Sequence, residues 1–225
     1  RFGNVLDFDA FLQNLFLRGN KRRINNCFPK QPLNLQHLML KHDLRKKYKD
    51  LRAEITPPKA SDLSLILANH VLQIPIWDFF YFHTFLSIEE KNEVDTLPLI
   101  TLLQGKDKHV IVPKISGNTT MEHYLLTDST SLKINSWGIP EPVDGFLVPE
   151  DKIDVVFVPL LAFDIQGNRV GYGKGFYDNF LQKCPKQTLK IGLSFFQAEE
   201  DLITDVHEND IKLDYCVTPN KVYAF

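Results

Sequence analysis

A short run of glycines and charged side chains, GNRVGYGKGFYDNFL at residues 167–181, contains the residue types that bind a phosphate chain. Gly171, Gly173 and Gly175 have no Cβ atom, so the backbone around them can approach an anion closely. An arginine and a lysine add positive charge to the same segment. The run precedes a predicted helix, whose first amide groups and dipole also favour an anion. The pattern therefore predicts a phosphate-binding loop.

The loop matches neither of the two common glycine-rich nucleotide motifs. Lys174 is followed by Gly175 rather than by Ser or Thr, and no glycine stands five residues before Gly173, so the P-loop pattern fails. The dinucleotide pattern GxGxxG fails as well, because Phe176 occupies the position of its third glycine. A glycine-rich turn that only connects a strand to a helix is the alternative. Asp178 favours a functional loop, since a carboxylate beside phosphates suits a magnesium ion.

The remaining apolar patterns predict the elements that position this loop. Apolar residues recur at helical spacing in a first helix, at Leu40, Leu44, Tyr48 and Leu51. A second helix is predicted to begin with Thr56 as its N-cap and Pro57 in its first turn. Alternating helices and strands predict a three-layer α/β/α domain with a mainly parallel sheet. Further helices are predicted within residues 96–106 and 175–184, and strands within residues 79–87, 109–115, 153–163 and 188–196.

Composition and charge exclude several classes of protein. The chain has 225 residues, 44% of them hydrophobic, which is enough for a sizeable core, and its net charge of −2 gives no reason to expect nucleic-acid binding. No apolar run reaches the roughly 18 residues of a membrane span, and no signal peptide is visible. Three cysteines without CxxC spacing indicate a reducing compartment. No HxH or HxxxH pair suggests a zinc site. We expect a cytoplasmic monomer without a nucleic-acid or membrane partner.

The first 38 residues differ from the rest of the chain. They mix aromatic residues with a basic cluster at Lys21, Arg22 and Arg23, without sustained periodicity. Met39 then opens the first helical pattern and could be the start of a protein. We therefore expect residues 1–38 to be an N-terminal extension, and residues 39–225 to be the catalytic domain.

Five segments stand in an order typical of one enzyme family: Lys41, Leu44 and Arg45 of a Lys-x-x-Leu-Arg motif, FLSIEEKNEVDT (85–96), SWGIPEP (136–142), VPLLAFDIQGNRVGYGKGFYDNFL (158–181) and HENDIKLDYCVTP (207–219). Through them the chain resembles, from about Lys41 to its C-terminus, the 5-formyltetrahydrofolate cyclo-ligases, also known as 5,10-methenyltetrahydrofolate synthetases. The resemblance implies a fold like that of the NagB/RpiA/CoA-transferase-like proteins. It also implies an enzyme that uses ATP and Mg²⁺ to convert 5-formyltetrahydrofolate, with or without a polyglutamate tail, into 5,10-methenyltetrahydrofolate with release of ADP and phosphate.

The resemblance assigns a nucleotide site and a metal site. Asp178 and Asp210 correspond to the magnesium ligands, with Asp214 as a weaker candidate. Taken without the family, the two motif cations of the first helix could belong to a solvated face, and the aspartates after residue 207 could be solvated loop carboxylates. Residues implied to bind ATP are Lys41, Arg45, Gly167, Asn168, Arg169, Val170, Gly171, Tyr172, Gly173, Lys174, Gly175, Phe176 and Tyr177.

The resemblance also assigns a folate site and catalytic roles. Glu93 corresponds to an acid that accepts pterin N–H donors, and Trp137 to an aromatic ring against the pterin. Ordinary core packing is the alternative for Trp137. Arg169, Lys174 and Tyr172 correspond to catalytic positions around the transferred phosphoryl group. Residues implied to contact the folate are Leu86, Glu93, Trp137, Tyr172, Gly173, Lys174, Gly175 and Phe176.

One residue departs from the pattern. Many family members carry an arginine where this chain has Tyr172, and a neutral phenol does not replace that charge. Two other functions therefore stay open. A folate-binding relative without phosphoryl transfer would account for Tyr172, and a sugar-phosphate isomerase or CoA-transferase-like activity would account for the fold.

Overall fold

The fold is known from a computed structural model that describes residues 39–225, all of which belong to one compact unit. The predicted extension of residues 1–38 lies outside the described part of the chain. The helices are α1 (Lys41–Ala53), α2 (Pro57–Val71), α3 (Leu97–Gln104) and α4 (Phe176–Lys183). The strands are β1 (Tyr81–His83), β2 (His109–Ile115), β3 (Met121–Leu125), β4 (Leu132–Ile134), β5 (Pro140–Pro142), β6 (Val155–Pro159), β7 (Ala162–Phe163), β8 (Arg169–Val170), β9 (Leu189–Leu193), β10 (Tyr215–Val217) and β11 (Val222–Ala224).

A seven-stranded sheet organises these elements, in the order β11-β10-β9-β6-β1-β2-β3. Its five inner strands, from β10 to β2, are parallel to their neighbours. The edge strands β3 and β11 are antiparallel to the strands beside them. The prediction of a mainly parallel sheet is therefore confirmed. Two small antiparallel hairpins, β4–β5 and β7–β8, lie outside this sheet.

Helices cover both faces of the sheet, as the alternating side chains of β6 show. Val155 and Phe157 belong to a core cluster that includes residues of α2 and α3. Val156 and Val158 belong to a second cluster, which includes Phe180 of α4. Because successive side chains point to opposite faces of a strand, the sheet is buried on both sides, as is usual for parallel sheets. The three-layer α/β arrangement is confirmed, whereas the likeness to NagB/RpiA/CoA-transferase-like proteins stays a prediction.

Helix α1 differs from its predicted amphipathic pattern. Leu44 and Tyr48 are buried as expected, but Leu40 and Leu51 are exposed. Arg52 is buried instead, with 5% of its surface accessible. The reason is that part of the inward face of α1 borders a polar cavity, where cations rather than leucines meet the rest of the protein.

The apolar run at residues 153–163 forms two elements rather than one strand. After Pro159 the chain leaves the sheet, and the N–H of Leu161 donates to the carbonyl of Val170 at 2.8 Å. This bond belongs to the region of the β7–β8 hairpin. The glycine loop therefore follows a hairpin rather than the single strand predicted within residues 153–163. The run at 79–87 likewise contributes only Tyr81–His83 as a strand.

Across residues 39–225, no helix is both long and apolar enough to span a membrane.

Two buried histidines lie between the sheet and α4. The rings of His83 and His123 have centroids 5.1 Å apart, and both contact the ring of Phe180. Neither ring nitrogen of His83 has a hydrogen-bond partner among the described residues. Burial lowers the pKa of His83 well below its usual value and lowers the pKa of His123 to about 4. Both imidazoles are therefore neutral in the folded protein near pH 6.

We expect the two histidines to make the folded protein less stable in acid. In the unfolded chain they bind protons near pH 6.5, whereas in the folded chain they stay neutral at this pH. The free energy of unfolding should fall as the pH drops from 6.5 toward 4. In His123→Phe one of these protons is missing, so the slope between pH 6 and 5 should decrease by about 1.4 kcal/mol per pH unit. Urea unfolding at a series of pH values measures it. An unchanged slope would show that His123 titrates normally in the folded state.

Candidate active site

A cavity of about 1010 Å³ opens beside the carboxyl ends of β1, β2 and β6, where parallel α/β sheets commonly bind ligands. Both charged and apolar side chains form its wall. The basic residues that line it are Lys41, Arg45, Lys49, Arg52, Lys91, Arg169 and Lys174, and the acidic ones are Glu90, Glu93, Glu141, Asp178 and Asp210. The apolar part includes Phe85, Leu86, Ile115, Met121, Trp137, Ile139 and Phe176.

Helix α1 supplies one charged wall. Lys41 and Arg45 lie one helical turn apart, and both line the cavity. Lys41 is only 7% exposed and forms an ion pair with Asp210. Nε of Arg45 donates to the carbonyl oxygen of Gly171 at 2.9 Å, which fastens the helix to the glycine loop. The alternative of a solvated helix face is therefore wrong for Lys41.

The glycine loop connects β8 to α4 and presents free backbone amides. Gly173 and Gly175 have φ angles of +87° and +77°, a region that other residues rarely adopt. Gly173 also leaves no spare room, because the guanidinium carbon of Arg45 lies 3.2 Å from where its Cβ would be. The amides of residues 173–178 donate no hydrogen bond to another described residue. Such amides at the start of a helix are suited to an anion.

Arg169 and Asp178 meet at the base of this loop. Nη2 of Arg169 donates to Oδ1 of Asp178 at 2.6 Å, and the N–H of Ile211 donates to the same oxygen at 3.3 Å. Nη1 of Arg169 is buried without a partner among the described residues. Burial lowers the pKa of Arg169, while the Asp178 carboxylate opposes that change. The arginine keeps one donor that an anionic ligand could use.

Asp178 and Asp210, the two predicted metal ligands, both line the cavity. Burial acts to raise the pKa of Asp210, but hydrogen bonds from Lys41 and from the His207 N–H outweigh it, so the pKa is lowered. No group of three metal-ligating side chains occurs within residues 39–225. Two carboxylates fit Mg²⁺ nonetheless, because this ion commonly takes its other ligands from phosphates and water. The weaker candidate Asp214 pairs with Lys190 at 3.0 Å and does not line the cavity.

Glu93 also lines the cavity and is buried. Asn92, in the left-handed conformation with φ of 45°, ends a short 3₁₀ turn at Glu89–Lys91 and turns the chain back. One Glu93 oxygen accepts the Ile88 N–H at 2.9 Å, and the other accepts the hydroxyl of Tyr172. Tyr172 in turn accepts a hydrogen bond from Nη2 of Arg52.

Arg52 also lines the cavity, although it was not predicted from the sequence. It is buried, and it reaches the residue that departs from the family pattern, Tyr172. A signal was present, since Arg52 follows Lys41 by eleven residues, which is close to three helical turns and so the same face of α1. The apolar pattern of that helix drew attention to its leucines instead.

Aromatic side chains line the apolar part of the cavity. The rings of Trp137 and Phe176 have centroids 6.2 Å apart, and Trp137 is 50% exposed. The side-chain oxygen of Asn135 accepts the N–H groups of Trp137 and Ile139, which fixes this turn. The alternative of core packing is therefore wrong for Trp137. Leu86 also lines the cavity. This wall can receive a flat heteroaromatic ring.

Three residues of the predicted nucleotide site lie away from the cavity lining. Val170 is fully buried in a core cluster, and Asn168 donates to the Asp164 carboxylate at 2.7 Å. Gly167, with a φ of +77°, packs against Phe225. These residues shape the β7–β8 hairpin, so they position the loop without lining the cavity.

Comparison with known proteins gives a consistent result. The model of the 5-formyltetrahydrofolate cyclo-ligase family matches residues 38–219. A probable 5-formyltetrahydrofolate cyclo-ligase of Schizosaccharomyces pombe is 32% identical over 71% of this chain and 85% of its own length. The 5-formyltetrahydrofolate cyclo-ligase of Escherichia coli K12 is 33% identical over 77% of this chain and 97% of its own. The structure of Aquifex aeolicus 5,10-methenyltetrahydrofolate synthetase has a TM-score of 0.71 and 34% identity, and the match covers 83% of this chain and 93% of that one.

The glycines of the loop allow a test of anion binding. No heavy atom lies within 4 Å of a Cβ built on Gly171, so Gly171→Ala should leave thermal stability nearly unchanged. A ligand lying against that backbone would meet the new methyl group, and we expect ATP affinity to fall on the order of tenfold.

Gly173→Ala is the contrasting variant of the same loop, because its positive φ should cost about 1–2 kcal/mol of stability in the absence of any ligand. Calorimetric ATP titration and thermal melting separate the two effects. Full ATP affinity in a stable Gly171→Ala protein would mean that the nucleotide binds elsewhere.

Proposed function

The chain belongs to the 5-formyltetrahydrofolate cyclo-ligase family, and we propose that it converts 5-formyltetrahydrofolate into 5,10-methenyltetrahydrofolate at the expense of ATP, releasing ADP and phosphate. One observation carries this proposal. A single cavity of about 1010 Å³ joins a basic glycine loop with free amides to a wall that holds a buried carboxylate and an exposed tryptophan. The first part suits a triphosphate and the second suits a pterin, so the two substrates would meet between them.

The proposed nucleotide site is the charged part of the cavity. The amides of residues 173–178 and the side chain of Lys174 would contact the phosphates, with Arg45 holding the loop in place through Gly171. Lys174 is exposed and forms no ion pair with a described residue, so its charge is free for a ligand. Nη1 of Arg169 would supply a further donor. This arrangement neutralises the charge of a transferred phosphoryl group, which is the main requirement of such reactions.

We propose that Asp178 and Asp210 hold Mg²⁺ together with phosphate oxygens. When bound, this ion would neutralise phosphate charge and help to align the γ-phosphoryl group. In the protein itself Arg169 and Lys41 balance the two carboxylates. These ion pairs orient both carboxylates without the metal.

The proposed folate site is the other part of the cavity. Glu93 would accept pterin N–H donors, because a carboxylate has room for more hydrogen bonds than the two that it accepts here. Trp137 would lie against the ring, and Leu86 and Phe176 would contact its apolar edges. A glutamate or polyglutamate tail would extend from the opposite end of the folate.

The chemistry requires an activated formyl oxygen. That oxygen attacks the γ-phosphorus of ATP, and the bond between this phosphorus and ADP breaks. The formyl group on N5 then carries the phosphate on its oxygen, as an imidate-like ester. The anilino nitrogen N10 then attacks the formyl carbon, the C–O bond breaks, and the N10 proton ends on the departing phosphate. The loop amides, Lys174 and Arg169 would stabilise charge on the phosphoryl group, and the cavity wall would hold both substrates in line.

The oligomeric state and the compartment are also part of the proposal. All of these groups come from one chain and line one cavity, so we propose that a monomer suffices. Cys184 and Cys216 are free thiols in the described structure, which supports a reducing, cytoplasmic setting.

A folate-binding protein without phosphoryl transfer is the second candidate. Its support is Tyr172, a neutral phenol on the nucleotide loop whose hydroxyl donates to Glu93 rather than facing a phosphate as a cation would. It differs from the first candidate in a single measurable respect, the consumption of ATP.

The decisive experiment mixes the protein with 5-formyltetrahydrofolate, ATP and Mg²⁺ and follows the near-ultraviolet absorbance of the methenyl product. We expect product in proportion to the ADP released, and none without ATP or with EDTA. Folate binding without turnover would favour the second candidate. Absence of both binding and turnover would refute the proposed function.

Variants should separate the two ends of the cavity. Lys174→Ala should raise the KM for ATP on the order of tenfold or more and leave folate affinity nearly unchanged, since one phosphate contact is lost. Glu93→Gln should instead lower the affinity for folate and leave the KM for ATP nearly unchanged. Lys186→Ala, an exposed lysine outside the cavity, is the control. A reversed pattern in steady-state kinetics would show that the two sites have been exchanged.

A further inference from the structure

Arg52 is a buried cation that the functions above do not use. It lies in the last turn of α1, is 5% exposed and lines the cavity. Nη2 of its guanidinium donates to the hydroxyl oxygen of Tyr172. Its own carbonyl accepts from the side chain of Asn92 at 3.3 Å, next to Glu93 in the chain. A buried arginine is rare unless it has a specific partner, and here its partner is a neutral phenol.

The direction of the hydrogen bonds along this row is fixed by chemistry. An arginine can only donate, and a phenol has one proton to donate. Tyr172 must therefore accept from Arg52 and donate its one proton to Glu93. Burial and the neighbouring Glu93 raise the pKa of Tyr172, so the phenol keeps that proton.

The place of Arg52 along α1 separates it from the phosphate end of the cavity. At 1.5 Å per residue, eleven residues put its Cα about 16 Å from that of Lys41 along the helix. Lys41 pairs with Asp210, whereas Arg52 reaches Tyr172 and Glu93. The charge of Arg52 therefore lies near Glu93, and its Nη2 atom donates to the Tyr172 hydroxyl.

We propose that Arg52 is a positioning residue for folate, which acts through Tyr172 to hold the Glu93 carboxylate in the orientation that receives the pterin donors. The inference rests on the proposed function, since it takes Glu93 as the folate acceptor. Both Glu93 oxygens are then fixed from within the protein, one by the Ile88 amide and one by Tyr172. The lone pairs that remain have a defined direction before the substrate arrives, which lowers the cost of binding it.

Tyr172 also gives the row a second consequence. It lies between Gly171, which is bonded to Arg45, and Gly173, which packs against the same arginine. The residue that orients the folate acceptor is thus part of the nucleotide loop. The neutral Tyr172 side chain, held between Arg52 and Glu93, would therefore orient the Glu93 carboxylate without carrying a charge itself.

The test is a double-mutant cycle on the full chain, with Arg52→Gln, Tyr172→Phe and the double variant. Each single change should raise the KM for 5-formyltetrahydrofolate on the order of tenfold. Tyr172→Phe removes the hydroxyl that donates to Glu93, and Arg52→Gln removes the guanidinium that orients this hydroxyl. The KM for ATP should rise less than the KM for 5-formyltetrahydrofolate in both single variants. The double variant should bind folate no worse than the weaker single variant. Lys46→Gln, an exposed residue of α1 outside the cavity, is the control.

If the wild-type protein is active, three results would overturn the inference. These are effects that multiply in the double variant, a larger rise in the KM for ATP than for folate, or an unchanged KM for folate in both single variants. If Arg52→Gln does not fold by circular dichroism, Arg52→Lys takes its place in the same cycle, since it keeps the buried charge but not the planar fork. A wild-type protein that neither binds nor converts folate would instead refute the proposed function, and with it this inference.

Discussion

The candidate site depends on one set of contacts, between the cations of α1 and segments that lie far away in sequence. Lys41 pairs with Asp210, Arg45 binds the carbonyl of Gly171, and Arg52 binds the hydroxyl of Tyr172. The partners are 169, 126 and 120 positions apart in the sequence. Each contact places a positive charge against an oxygen acceptor, and Lys41 and Arg52 are buried there while Arg45 is half-buried. Without α1 the glycine loop would lose the side chain that packs against its tightest turn, and the cavity would lose one wall.

Burying cations is costly unless they are paired, and the pairing here also prepares the cavity for its proposed ligands. Asp178 and Asp210 balance Arg169 and Lys41, so the charged part holds carboxylates and cations side by side. A metal–phosphate complex carries both signs of charge as well. It can exchange contacts with such a cluster without leaving a bare charge buried, which lowers the cost of binding.

The two ends of the cavity are joined by the loop between β8 and α4. Its backbone amides at residues 173–178 have no acceptor among the described residues, and the side chain of Tyr172 reaches Glu93. This geometry ties the conformation of the proposed nucleotide site to that of the proposed folate acceptor. Phosphoryl transfer needs both substrates in line, so a shared structural element is a direct way to align them.

The sequence by itself determined the local features of this protein. Pro57 begins α2, Gly105 follows α3, and the glycines of the loop adopt the positive φ angles at 173 and 175 that their type allows. Alternating apolar segments were enough for the mainly parallel sheet, and motif order was enough for the family. Spacing along a chain limits local conformation only. The burial of Arg52, the pairing of Tyr172 with Glu93, and the withdrawal of Val170 into the core were decided by the tertiary structure, because each depends on which distant segments the sheet and α1 bring together.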